Sequence, residues 1–264
     1  IPGVIAGVFS GFSVASVVGV PIASTITQTF GWRAAFITIF VATLALLALL
    51  FVKLPRKNRL KAGSILEQFK LFLDKRISIG CAIVFLAGAS TYCFYTYLTP
   101  IFQQELHIPD SMLSLALLIF GIAAITSNVS SGQVANKTGI RMLPLIYVIQ
   151  TVCLLLLPIA THNLVSGGLV LFILGVMMYL LNSPLQMHFL KIATREHPAC
   201  VNLASSLISV FFNFGIAAGS AMGGVIVKYA GLRFVGIGGA VPGIGAIICA
   251  VILLQIMKQD ADIR

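Results

Sequence analysis

Four amides and two phenols are the side chains of this sequence best suited to hold a solute: Asn128, Asn182, Gln186 and Asn213, with Tyr92 and Tyr95. Each lies in a long run free of Asp, Glu, Lys and Arg. An amide taken out of water needs a partner, so each of the four is either a hydrogen bond between helices or a contact to a solute. Tyr92 and Tyr95 stand one helical turn apart on one face, and a ring with a hydroxyl suits sugars, nucleosides and flat drugs. Tyr97 fits an interfacial aromatic belt equally well. The acids Glu67, Asp74, Glu105, Asp110, Glu196, Asp260 and Asp262 all fall in loops or near helix ends, so no carboxylate is placed to carry protons through a membrane. His188 reads as a solvated residue near the end of its run rather than a proton shuttle. No HExxH, GxSxG or paired acids are present, which argues against an enzyme. Cys81, Cys93, Cys153, Cys200 and Cys249 lack CxxC spacing and read as small buried hydrophobes, with no metal site or cofactor implied.

The elements that must carry these side chains follow from composition. Of 264 residues, 59% are hydrophobic and 9% charged, with a mean hydropathy of +1.05. Soluble domains carry about 25% charged residues, so a water-exposed surface cannot be built from this chain. Crossing about 30 Å of hydrocarbon takes about 20 apolar residues in a helix. The apolar runs predict eight transmembrane helices at 3–27, 33–53, 77–101, 110–134, 141–160, 166–189, 200–227 and 233–257, an all-α polytopic membrane protein. The long run 142–190 is divided by the polar, glycine-containing stretch from Pro158 to Gly168. Runs such as 42–52 are apolar all round, unlike the alternating strands of a membrane barrel.

Eight of the 17 basic residues lie between Lys53 and Arg76. With eight spans, Lys137, Arg141, Lys191, Arg195, Lys258 and Arg264 share that side, leaving Arg33, Lys228 and Arg233 on the other. Basic loops are retained in the cytoplasm, so this pattern predicts a cytoplasmic C-terminus. It also accounts for the +10 net charge without nucleic acid binding. Within the 54–76 loop, Ser64-Ile-Leu-Glu67 has the form of a capping box. It would open a short amphipathic surface helix with Ile65, Phe69 and Phe72 on one face.

A shift of 200 residues aligns Gly19, Gly31 and Arg33 with Gly219, Gly231 and Arg233. In each copy a helix rich in small residues ends in a Gly-x-Arg turn. This is the pattern of a twelve-helix protein built from two six-helix halves, with about four helices preceding Ile1. Gly3, Gly7, Gly11, Ala15, Gly19 and Ala23 form a smooth ridge, repeated by Gly215, Gly219 and Gly223. Such ridges let helices approach closely, and Pro21 would loosen the first one.

Gly11-Phe-Ser-Val-Ala-Ser-Val-Val-Gly19-Val-Pro21-Ile-Ala23 resembles the fifth-helix antiporter motif of the major facilitator superfamily, in its drug and sugar efflux branch. Here Val20 separates Gly19 from Pro21, and Ala23-Ser24 replace two glycines. Phe30-Gly31-Trp32-Arg33-Ala34-Ala35-Phe36 is similar to that branch's turn into helix six. Gly132-Gln-Val-Ala-Asn136-Lys137-Thr-Gly139-Ile-Arg141 resembles the family's cytoplasmic gate motif, with Asn136 where an acid usually stands. That departure implies a weaker charge latch, with Asn136 available to cap the following helix.

The resemblance covers the whole chain and implies helices 5–12 of that fold. Residues 1–53 would hold the last hairpin of the N-terminal bundle, 54–76 the loop between bundles, and 77–264 the C-terminal six-helix bundle. It implies a bacterial inner-membrane protein that exports a small organic solute in exchange for protons, with lipid, solute and protons as its partners. The coupling acid would then lie upstream of Ile1. A non-transporting scaffold or receptor, or an inactive remnant, is the alternative reading.

Overall fold

The computed structural model describes residues 19, 22–23, 26–27, 29–53 and 71–262. Most of the predicted span 3–27 and the Ser64 capping box, with most of the loop around it, lie outside the described residues. The rest is helical. The long helices are α1 (Trp32–Lys53), α2 (Lys75–Tyr95), α3 (Asp110–Lys137), α4 (Leu143–Ala160), α5 (Leu164–Met177), α6 (Asn182–Glu196), α7 (Val201–Tyr229) and α8 (Val235–Asp262). With α5 and α6 counted as one interrupted crossing, they make seven spans long and apolar enough to cross a bilayer. In hydrocarbon every backbone amide must be satisfied within the chain, and the helix does that locally. Apolar side chains such as Leu115, Ile119 and Ile122 on α3 point outward, where lipid rather than water meets them.

Polar residues set the helix starts. Asp74 caps α2 by accepting from the Arg76 amide at 2.9 Å, and Asn163 caps α5 by accepting from Val165 N at 2.9 Å. Each satisfies one of the donors that a first turn leaves without a partner. Pro144 sits in the first turn of α4, where its missing amide removes nothing. Gly31 and Gly231 adopt φ of +81° and +98°. Each is followed by the same turn, Ala34 N to Gly31 O at 3.1 Å and Phe234 N to Gly231 O at 3.2 Å. The two Gly-x-Arg stretches aligned by the sequence thus fold alike.

Two predicted spans are interrupted rather than continuous. The span expected at 77–101 ends as α-helix at Tyr95, turns at Thr96–Tyr97, and resumes as Leu98–Pro100 followed by a π-type turn, Ile101–Glu105. The span expected at 166–189 is broken between Met177 and Asn182. One cause accounts for both. A proline ring clashes with the carbonyl four residues before it, and Pro100 and Pro184 stand four residues after Thr96 and Leu180.

Helix α2 lies at the centre of the bundle, against α7 and α8, while α3 packs on α5 and α6, and α4 on α8. The α2–α7 seam is backbone on backbone. A Cβ at Gly215 would lie 2.3 Å from Phe85 O, at Gly219 2.3 Å from Ala89 O, and at Gly223 2.6 Å from Cys93 O. On α4, Pro158 leaves Leu154 O without its helical partner, and that oxygen lies where a Cβ at Gly236 of α8 would be 2.4 Å away.

Candidate solute site and the gate beside it

The second half of α2, the middle of α3, the break before α6 and the middle of α7 meet in one aromatic cluster. Tyr92 and Tyr95 stack edge to face with centroids 5.2 Å apart. Tyr92 lies 5.8 Å from Phe212, Tyr95 lies 5.6 Å from Phe120, and Tyr179 in the break lies 6.3 Å from Phe212. Tyr92 and Tyr95 are half-buried. Beside the rings, Asn182 Nδ2 donates to Asn128 Oδ1 at 3.3 Å, and both residues are buried.

Helix α3 holds the break open. Ser127 Oγ accepts from Tyr179 N and Ser131 Oγ from Ser183 N, each at 2.8 Å. These amides would be costly if left bare in the membrane. Ser127, Asn128 and Ser131 occupy one face of α3, so a single helix supplies acceptors on both sides of the break and the amide between them. Flat rings, hydroxyls and amides without a charged group can bind a neutral hydroxylated or aromatic solute by stacking and hydrogen bonding.

The remaining sequence-derived candidates lie elsewhere. Gln186 is buried, and its Nε2 donates to Ser205 O of α7 at 3.2 Å, one turn beyond Asn182. Asn213 is exposed, and its Nδ2 returns to Ser209 O of its own helix at 2.7 Å. Tyr97 reaches the glycine ridge, where a Cβ at Gly223 would meet its ring at 2.8 Å. A groove of about 510 Å³ between α2 and α7, lined by Phe72, Phe85, Phe211 and Phe214 among others, is almost wholly apolar and cannot orient a polar solute.

Two polar groups not singled out in the sequence, Gln150 and Arg76, also join the helices. Gln150 of α4 donates to Ser90 Oγ at 3.3 Å and Thr91 Oγ1 at 3.1 Å, joining α4 to α2 inside the bundle. At the end bearing the basic loops, hereafter the basic end, Arg76 forks between two acids. Its Nε and Nη2 donate to Asp74 at 3.0 and 2.6 Å, and its Nη1 donates to Glu196 Oε1 at 3.1 Å, with a second bond from Nη2 to Glu196 Oε2. The fork ties the start of α2 to the end of α6, 120 residues later. Burial opposes ionisation of Asp74, but the hydrogen bonds and charge of Arg76 outweigh it and hold the carboxyl below its ordinary value of 3.8. Ligand atoms of Asp74, Glu196 and His197 lie within 4.8 Å of one another. The guanidinium already supplies a cation to both carboxylates.

His188 departs from the expectation of a solvated residue. It is 6% exposed, on the inner face of α6, because the helix turns that face onto α2 and seals the ring beside Phe189. The gate-like motif also differs. Asn136 lies in the last turn of α3 and is exposed, so it does not cap the next element. The turn Gly139–Met142 follows Thr138 without a side-chain cap. Gly132 is half-buried, Gly139 has φ +59°, and Lys137 and Arg141 are exposed, with no ion pair to either among the described residues. Gly11 and Pro21 lie outside the described residues, and Gly19 is helical and exposed.

Residues 2–202 match the family model described as Major Facilitator Superfamily. The chain belongs to the major facilitator superfamily. This is a family of multi-pass membrane transporters rather than enzymes. The facilitator chain is 30% identical over 241 residues to "Uncharacterized MFS-type transporter YtbD" of Bacillus subtilis, covering 91% of this chain and 61% of the relative. To "Probable sugar efflux transporter" of Pasteurella multocida it is 28% identical, covering 87% and 56%. To "Uncharacterized MFS-type transporter YbcL" of Bacillus subtilis it is 30% identical, covering 97% and 65%. It therefore spans about three-fifths of the length of these curated relatives.

Proposed function

We propose that this chain forms the larger part of a proton-driven exporter of a small, uncharged organic solute, a sugar or a flat hydroxylated molecule, working by alternating access in a bacterial cell membrane. Residues 77–264 would be its C-terminal bundle, the basic end would face the cytoplasm, and the coupling acid would lie outside this sequence. The observation that carries the reading is the cluster of Tyr92, Tyr95, Tyr179, Asn128 and Asn182 around a break in a membrane helix. In secondary transporters, interrupted helices gather the solute site near the middle of the bilayer, where irregular backbone is tolerated only beside protein or a cavity. The likeness to a protein named as a probable sugar efflux transporter supports sugar export.

The test is flux in proteoliposomes by the full-length transporter containing this chain, with an imposed proton gradient and a panel of sugars, nucleosides and neutral drugs. Gradient-driven export of one class, lost in Asn182→Ala with normal expression, is the expected result. Flux that is indifferent to Asn128, Asn182 and Tyr92 would remove the site. Absence of flux for every solute would return the chain to the scaffold reading.

A further inference from the structure

Helix α2 has polar groups on two faces. Tyr92 and Tyr95 belong to the aromatic cluster, while Ser90 and Thr91, both buried, meet α4. There the buried Gln150 donates from one nitrogen, Nε2, to Ser90 Oγ at 3.3 Å and to Thr91 Oγ1 at 3.1 Å. An amide nitrogen carries two protons, so both are used. Consecutive residues on a helix stand about 100° apart around its axis. One nitrogen can therefore serve both hydroxyls only when α2 is turned so that the gap between them faces α4. A single bond would leave that angle loose, whereas two bonds to neighbouring residues fix it.

The seams of α2 with α7 and α8 are smoother. Gly215 and Gly219 of α7 lie against the backbone of Phe85 and Ala89, and on α8 a Cβ at Gly239 would lie 2.7 Å from Ser90 O. Glycine seams set how near two helices come, but they present no side chain that interlocks against rotation.

We propose that Gln150 is a positioning residue for the solute site. It sets the rotation of α2, and through it the angle at which Tyr92 and Tyr95 meet a solute. This role rests on the solute reading above, while the control of α2 rests on the two hydrogen bonds alone. Tyr92 follows Thr91 directly and Tyr95 lies one turn beyond it, inside the same helix, so no flexible segment separates the bonded hydroxyls from the rings. A side-chain tip about 6 Å from the helix axis moves by about 1 Å for a turn of about 10°. Hydrogen bonds between heavy atoms span a range of only about 0.5 Å, so a turn of that size is enough to lose one. Gln150 does not touch the solute; it acts through α2.

The test compares Gln150→Leu and Gln150→Glu in the full-length transporter containing this chain, in lipid nanodiscs, with 3-fluorotyrosine incorporated at position 92. Leucine nearly fills the space and donates nothing. In Gln150→Glu a carboxyl oxygen in place of Nε2 accepts from both hydroxyls and keeps two bonds. The fluorine resonance reads the setting of the ring with no solute present. It should move in Gln150→Leu and stay at the parent position in Gln150→Glu. Affinity for the solute that the parent binds, from the same panel of sugars, nucleosides and neutral drugs, should fall roughly tenfold in Gln150→Leu, the equivalent of about one hydrogen bond, and return in Gln150→Glu. A merely structural amide would lower the melting midpoint and leave the resonance of the folded protein in place. If Gln150→Leu does not fold, Ser90→Ala serves instead, since it removes one of the two acceptors and should also move the resonance. An unmoved resonance in the variant that lacks the paired bonds, or a displaced resonance with unchanged affinity, would overturn the proposal. A parent that binds no solute of the panel, with the resonance behaving as expected, would overturn the solute reading while supporting the control of Tyr92 by Gln150.

Discussion

At the scale of single residues, the useful distinction is between a polar group that holds helices together and one that meets a solute. Asn128 does the first, since it accepts from Asn182 at 3.3 Å. Membrane hydrogen bonds of this kind contribute about 0.6 kcal/mol on average. Asn128→Ala should therefore shift the thermal midpoint little. If Asn128 also bonds the solute, affinity should fall roughly tenfold, the loss of one hydrogen bond of about 1.4 kcal/mol. Binding and melting curves on the same preparation separate the two roles. Asn213→Ala should weaken binding less, because that amide already donates to Ser209 O.

Asp74 gives a pH signature. Its folded carboxyl is held below 3.8, so the fork's contribution is complete above that value and is lost as pH falls through the lower, folded value. Melts of the parent should lose stability below about pH 4, and Asp74→Asn should be less stable at neutral pH and lose less in that window. The residue types of the site were readable because amides and tyrosines are rare in runs of leucine and valine. The burial of His188 and the Arg76–Glu196 pairing were not. Both depend on the ends of two helices 120 residues apart meeting, which no local pattern encodes.

At the scale of elements, the α2–α7 seam should be the least tolerant part of the fold. Gly219→Val would drive a branched side chain into Ala89 O, where even a Cβ would be 2.3 Å away. Helix backbone cannot yield as a side-chain tip can, so the expected loss is at least the ~1–3 kcal/mol of ordinary overpacking. Thermal denaturation in detergent measures it, and Gly132→Val is the control, because nothing lies within 4 Å of a Cβ there. The ridge was legible from its four-residue spacing, although its partner helix was not. Helix positions were legible for the same reason that membrane topology is, since apolar length is the dominant constraint. The two interruptions are not visible in hydropathy, which does not register a proline. Pro100 and Pro184 mark where bends are possible, but prolines near helix ends are common, so the sequence alone does not tell a break from a bend.

At the scale of the whole molecule, the paired Gly31 and Gly231 turns agree with the proposed assembly from two repeated halves. The proposed boundary at residues 54–76 makes a concrete prediction. A protease cut in that basic loop should leave residues 77–264 folded, with its melting transition retained, because the described contacts of α2 to α8 close on themselves. Collapse of that fragment would show that the two parts share one core.

The serines that hold the broken helix have a further consequence. The amide protons of Tyr179 and Ser183 are kept by hydroxyls of another helix rather than by their own turn. Their exchange with deuterated solvent is thus a clock for α3 moving away from α6, while neighbouring amides time only local fraying. Two backbone protons in the middle of the bilayer would report how often this bundle opens, with no label and no solute added.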